Sequence, residues 1–268
     1  MDQALAAYVS GSGPPLLLIH GFLGSARTWK HVLPALEREN RCIALDLPGH
    51  GDTPAWADTD SYDINPILDA ILATLDSLEV EQCALLGYSM GGRIALHFAL
   101  RFPARAGLLI LESTNPGIDD PLERTTRLDA DERLARLIET DGMRAFVDYW
   151  EDLPLFQSQK DVSEASRAEV RSDRLATSPV AAAAFLRALS PGAMDSAWDR
   201  LANLTIPTLV VAGAEDWKYV AIAERVAGGI GNCATVIPAS GHAVHLEQPE
   251  LFAERVIGFL RAAARDRN

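Results

Sequence analysis

Three features of this sequence predict an α/β fold, with a mostly parallel central sheet flanked by helices and an inserted helical cap. Apolar runs alternate with helix-period patterns along most of the chain, and strand-like text disappears between Pro116 and about Asp199. The third feature is Gly87-Tyr88-Ser89-Met90-Gly91, which falls where an apolar run turns into a helical one. Alternation of this kind means βαβ crossovers and therefore parallel strands.

In chain order, strands are expected at Leu16–Ile19, Cys42–Leu45, Cys83–Leu86, Leu108–Leu111, Thr208–Ala212 and Thr235–Ile237. An antiparallel strand near Leu5–Val9 should precede them. Helical patterns occupy Ile64–Leu78, Gly91–Arg101, Val220–Val226 and Leu251–Ala264. The segment Asp46-Leu47-Pro48-Gly49-His50-Gly51 reads as a strand end running into a turn-rich loop. Residues 1–115 and 200–268 then form the two parts of one core, and residues 116–199 a cap that roofs a pocket and supplies specificity contacts.

The chain has 268 residues, 48% of them hydrophobic, enough to bury a sizeable core as one domain with an insertion. A formal charge of −13 argues against nucleic acid or an anionic membrane as partner, since either would be repelled. An anionic substrate would need a local basic cluster. No run reaches membrane-spanning length, and Met1-Asp2-Gln3-Ala4-Leu5 lacks the basic and apolar regions of a secretion signal. A soluble cytoplasmic protein is expected, as a monomer or small homo-oligomer. The 3 cysteines lack metal-ligand spacing. Cys42 and Cys83 lie in strand-like runs and Cys233 just before another, so buried free thiols are expected, with no metal and no cofactor.

The chemistry starts at Ser89. A Gly-x-Ser-x-Gly between strand and helix is a nucleophile elbow: small residues two before and two after the serine permit a sharp, strained turn that exposes its hydroxyl. The helix N-terminus behind it faces any negative charge that develops nearby. A loop following Leu16-Leu17-Leu18-Ile19-His20-Gly21-Phe22 can offer the Phe22 N–H to an oxyanion, with the Met90 N–H as second donor. Thr208–Ala212 delivers Glu215 and Asp216 where it ends, and His242 follows Thr235–Ile237. The order Ser, acid, His is that of an α/β-hydrolase. Only one of Glu215 and Asp216 can point at the histidine. His20 and His245 read as structural or pocket-rim residues, and His31, His50 and His97 have no constellation around them.

Arginines carry the next signal. Arg93 lies about one turn beyond Ser89 on the same helix. Arg124 and Arg127 share a helix face in the cap, and Arg171 and Arg174 repeat the spacing. Guanidinium groups suit bidentate recognition of carboxylates, although neighbouring acids such as Glu123 and Asp131 could equally hold them as surface ion pairs.

Gly87-Tyr88-Ser89-Met90-Gly91-Gly92-Arg93, Glu123-Arg124-Thr125-Thr126-Arg127, the cap segment from Phe146 through Tyr149-Trp150 to Pro154-Leu155-Phe156, and Gly241-His242-Ala243-Val244-His245-Leu246-Glu247-Gln248-Pro249 together resemble the 2-succinyl-6-hydroxy-2,4-cyclohexadiene-1-carboxylate synthases of menaquinone biosynthesis. The resemblance implies a cofactor-free carbon–oxygen lyase that eliminates pyruvate from an enolpyruvyl cyclohexene, a small-molecule polycarboxylate. It implies Ser89, Asp216 and His242 as triad and Phe22 and Met90 as oxyanion hole. It also implies Arg93, Arg127 and Arg174 on substrate carboxylates, with Tyr88 and Trp150 lining the pocket. Arg171 stays open as the alternative to Arg174, and Ser190-Pro191-Gly192-Ala193-Met194 departs from the family's Gly-rich segment. Two other classes remain: a serine hydrolase with Ser89 as nucleophile, and a ligand-binding receptor built on a hydrolase fold.

Overall fold

The computed structural model describes residues 4–231 and 234–265; Cys233 lies outside them. Among the described residues, seven strands form one sheet in the order β1-β3-β2-β4-β5-β6-β7. They are β1 (Ala7–Ser10), β2 (Pro15–Ile19), β3 (Arg41–Leu45), β4 (Cys83–Tyr88), β5 (Ala106–Glu112), β6 (Thr208–Gly213) and β7 (Thr235–Ile237). Only β1 is antiparallel, paired with β3 at the sheet edge. All other neighbours are parallel.

Side chains alternate across the sheet, so a continuous apolar run feeds two cores. Leu17, Ile19, Ile43, Leu45, Leu85 and Leu109 pack against α2 (Ile64–Ser77), α3 (Met90–Arg101) and α7 (Trp217–Gly229). Leu16, Leu18, Cys42, Ala44, Leu86 and Ile110 face the other way. They meet α1 (Leu33–Leu36), Trp29 and α9 (Pro249–Arg265), the last preceded by the short α8 (Val244–Glu247). Cys42 and Cys83 are buried free thiols, each pushed up by burial to about 12.

Between β5 and β6 the chain forms α4 (Pro121–Glu151), a 3₁₀ segment Pro154–Asp161, α5 (Glu164–Ala176) and α6 (Pro179–Ala188), with no strand. Helix α4 is broken at Gly142, whose φ of 84° lies in the left-handed region. Its two halves can therefore follow different directions, and Ala135, Ile138, Phe146 and Val147 form a separate apolar cluster with Ala182, Ala183 and Leu186 of α6. Leu23, from the loop after β2, inserts into that cluster and joins the helical segment to the sheet. Ion pairs Arg27–Asp173 and Lys30–Glu169 make a second junction between the same loop and α5.

The loops after β2 and β3 carry one structural histidine each, His20 and His50. His20 Nδ1 donates to the Gly21 carbonyl at 2.8 Å and Nε2 accepts from the Leu47 N–H at 3.1 Å, which selects the neutral tautomer. His50 stacks beside it, 4.9 Å between ring centres. Asp46 ties the loop back by accepting from the Ala26 and Asp52 N–H groups. The predicted turn thus braces the base of the loop that carries Phe22.

Candidate active site

Ser89 sits between β4 and α3 with φ 52° and ψ −108°, a left-handed geometry that costs roughly 1–3 kcal/mol for a non-glycine residue. The turn is held by the Ser89 N–H donating to the Glu112 carbonyl at 2.8 Å. Its flanking glycines are a steric requirement: a Cβ at Gly87 would lie 2.3 Å from the Gly91 carbonyl oxygen, and one at Gly91 2.1 Å from that of Ile19.

His242 Nε2 accepts from Ser89 Oγ at 3.0 Å, and His242 Nδ1 donates to Asp216 Oδ2 at 2.8 Å. Asp216 also caps α7, its Oδ1 accepting the Tyr219 N–H at 3.3 Å. That cap explains why α7 begins at Trp217, three residues earlier than the apolar pattern alone suggests. Glu215 is exposed, so the choice between the two acids falls on Asp216.

The loop bearing His242 is fixed by two acids, Glu247 within the quoted motif and Glu112 outside every motif. Glu247 accepts the Gly241 N–H at 2.6 Å and the Ala243 N–H at 3.2 Å, gripping the chain on both sides of the histidine. Glu112, fully buried, accepts from His245 Nδ1 at 2.8 Å and from the His245 N–H at 3.0 Å. The His242 ring is packed by Tyr219 at 4.5 Å, Tyr88 at 5.4 Å and Phe156 at 6.2 Å. Burial, ahead of the neighbouring Glu112, holds the Tyr88 phenol well above its ordinary range.

A cavity of 740 Å³ opens over Ser89, walled below by Phe22, Tyr88, Met90 and His242 and above by residues of α4, the 3₁₀ segment and α5. Arg93, Arg127, Trp150 and Arg174 all line it. Arg93 is 5% exposed and donates through Nη2 to the Leu189 carbonyl at 2.9 Å. Burial pulls it down to about 10, Arg127 adding to the effect and Asp131 opposing it, so it remains a cation at neutral pH. Arg174 stacks 5.1 Å over the Phe156 ring and donates to Glu151 at 3.0 Å and Gln159 at 3.3 Å.

The arginine pairs read from spacing divide unequally. Arg171 is bound by Asp148 and Glu151 and is not part of the cavity wall, whereas Arg174 is. Arg124 likewise leaves the cavity: its Nε and Nη2 donate to the carbonyls of Gly192 and Ala193. It thereby holds the divergent 190–194 segment in place, with Ser190 and Pro191 completing the cavity wall. Shared helix phase puts two guanidinium groups on one face, but local acceptors decide which of them turns inward. His31 and His245 line the cavity, while His20, His50 and His97 do not. Phe156, the last residue of the quoted cap segment, lines the cavity, as do Tyr219 and Gln159, which no motif marked; Tyr219 stands one helical turn after Asp216, a spacing that could have flagged it.

Among the described residues, no group of three or more His, Cys, Asp or Glu is arranged to hold a metal ion. Among them too, no helix is long and apolar enough to cross a membrane.

Residues 16–255 match the model of the alpha/beta hydrolase family. The chain is 37% identical over 257 residues to a putative 2-succinyl-6-hydroxy-2,4-cyclohexadiene-1-carboxylate synthase of Bacillus subtilis (strain 168), covering 94% of this chain and 93% of that protein. The structure of MenH from S. aureus superposes with a TM-score of 0.92 at 34% identity, covering 97% of this chain and 99% of that one. A malate-bound thermophilic esterase from Thermogutta terrifontis follows at 0.84 and 28% identity, with 97% and 93% covered. The chain belongs to the alpha/beta hydrolase family and, within it, to the 2-succinyl-6-hydroxy-2,4-cyclohexadiene-1-carboxylate synthases.

Proposed function

We propose that this chain catalyses the elimination of pyruvate from 2-succinyl-5-enolpyruvyl-6-hydroxy-3-cyclohexene-1-carboxylate, giving 2-succinyl-6-hydroxy-2,4-cyclohexadiene-1-carboxylate. The observation that carries this reading is the presence of Arg93, Arg127 and Arg174 in the cavity above Ser89, in a chain of net charge −13. Cations concentrated there oppose the overall field and suit a polycarboxylate.

In this reading Ser89 is a base. Its Oγ, made basic by His242 Nε2, takes the proton from the ring carbon that bears the succinyl ketone. The C–H electron pair moves toward the ketone oxygen, where the Phe22 and Met90 N–H groups receive the enolate, at about 3 kcal/mol per donor. Collapse of the enolate shifts the ring double bond, forms the second one and breaks the carbon–oxygen bond to enolpyruvate. The imidazolium of His242, steadied by Asp216, returns the proton, and enolpyruvate becomes pyruvate. Tyr88 and Trp150 wall the ring, and the three arginines hold carboxylates. The buried free thiols of Cys42 and Cys83 fit a reducing compartment, so we assign the reaction to the cytoplasm.

The same triad distances serve a nucleophilic serine, and likeness to an esterase keeps a hydrolase as the second reading. Supplying the enolpyruvyl compound and following pyruvate together with diene absorbance separates the two. The lyase reading expects both to appear in step. Efficient cleavage of p-nitrophenyl esters, with the enolpyruvyl compound untouched, would favour the hydrolase.

A further inference from the structure

Tyr219 stands on the first turn of α7, one turn beyond the triad acid, with its backbone N–H already capped by Asp216. The residue is 9% exposed and that exposure opens into the cavity. Its ring meets His242 edge-on at 4.5 Å and 68°, which fixes its orientation. Arg93 and Arg127 are its electrostatic neighbours from α3 and α4, and Asp216 opposes them. The hydroxyl has no hydrogen-bond partner among the described residues. A ring needed only to pack against His242 would be served by phenylalanine, so the hydroxyl is left for a ligand in the cavity.

We infer that the Tyr219 hydroxyl is a substrate donor that completes, with Arg93 and Arg127, a three-residue site for one substrate carboxylate. Arg174, stacked 5.1 Å over Phe156, lines the same cavity outside this trio, so a second carboxylate of one substrate has its own guanidinium. Burial raises the phenol further, keeping the proton that it donates, despite the pull of the two guanidinium groups. The assignment rests on the lyase reading for its substrate, but not for its chemistry, which needs only a carboxylate beside an aromatic or cyclohexadiene ring.

Tyr219→Phe removes the hydroxyl and keeps the ring. With the enolpyruvyl compound the expected outcome is a KM raised about tenfold or more at little-changed kcat, as for loss of one hydrogen bond to a charged group. Unchanged KM overturns the inference, and so does a fall confined to kcat, which would put the hydroxyl on the reacting atoms. In combination with Arg127→Ala the losses should be non-additive, because both residues hold one carboxylate; additivity overturns the shared site. Calorimetric affinity for 2-succinylbenzoate, a stable aromatic with a ring carboxylate and a succinyl chain, gives a readout that needs no turnover. Tyr219→Phe should weaken it about tenfold. If wild-type protein releases no pyruvate the lyase reading fails, and this affinity still decides the role of Tyr219.

Discussion

Arg127 is tethered to Asp131 one turn along α4 by a single 2.7 Å hydrogen bond from Nε to Oδ2. The tether engages the inner nitrogen of the guanidinium and leaves its terminal amines for a ligand, while the Asp131 side chain is 2% exposed and so cannot swing away into solvent. Replacing Arg127 by Ala should therefore cost about 2–4 kcal/mol in kcat/KM. Lysine should restore only part, since it lacks the planar fork. Steady-state kinetics decide it: wild-type constants in Arg127→Ala would make the residue a solvated face of the cap.

Glu247 gives a prediction that separates positioning from binding. Its carboxylate accepts the peptide N–H on each side of His242, so its removal frees the imidazole while leaving the arginines alone. Glu247→Ala should lower kcat by roughly two orders of magnitude, as a misplaced general base does, with KM within a factor of a few. A variant with normal kcat and raised KM would show that Glu247 acts on substrate instead.

Much of this site was legible from local sterics. Gly87 and Gly91 can be read as necessities because the elbow brings backbone oxygens to where their side chains would be. The parallel strands were legible for a similar reason: Leu16–Ile19 and Leu108–Leu111 are buried on both faces and so read as unbroken apolar runs. What could not be read depends on chain returning from far away. Arg171 and Arg174 differ in which acceptors the folded cap brings to them, and Glu112 holds His245 across 133 residues of sequence. The break at Gly142, where a φ of 84° suits glycine, was not placed by the helical text of the cap.

The buried histidines set the acid side of the stability profile. Burial holds His20 at about 4, His50 at about 3 with His20 adding to the effect, and His97 at about 4 with Arg200 adding to it. All three lie below the ordinary value near 6.5, so between that pH and about 4 the unfolded chain binds protons that the native state refuses. Stability is then full above pH ~6.5 and falls as the pH drops, by on the order of 1–2 kcal/mol per histidine by pH 5. Urea unfolding at pH 7, 6 and 5 should show the midpoint falling steadily. A midpoint that holds constant would contradict the neutral tautomers assigned to these residues.

The triad should behave as one unit. Ser89→Ala, His242→Ala and Asp216→Asn should each lose activity by orders of magnitude, and the double and triple variants should lose little more, because each removes the same proton-transfer chain. Independent, multiplying losses in the doubles would mean that the three residues do not share a step.

Whether Ser89 takes a proton or forms an ester is the central question, and the 3.0 Å contact with His242 permits either. Mass spectrometry of enzyme quenched during turnover of the enolpyruvyl compound answers it directly. The base mechanism predicts unmodified Ser89 at every time point while pyruvate accumulates. A substrate-derived acyl group on Ser89, forming and decaying fast enough to account for turnover, would contradict it.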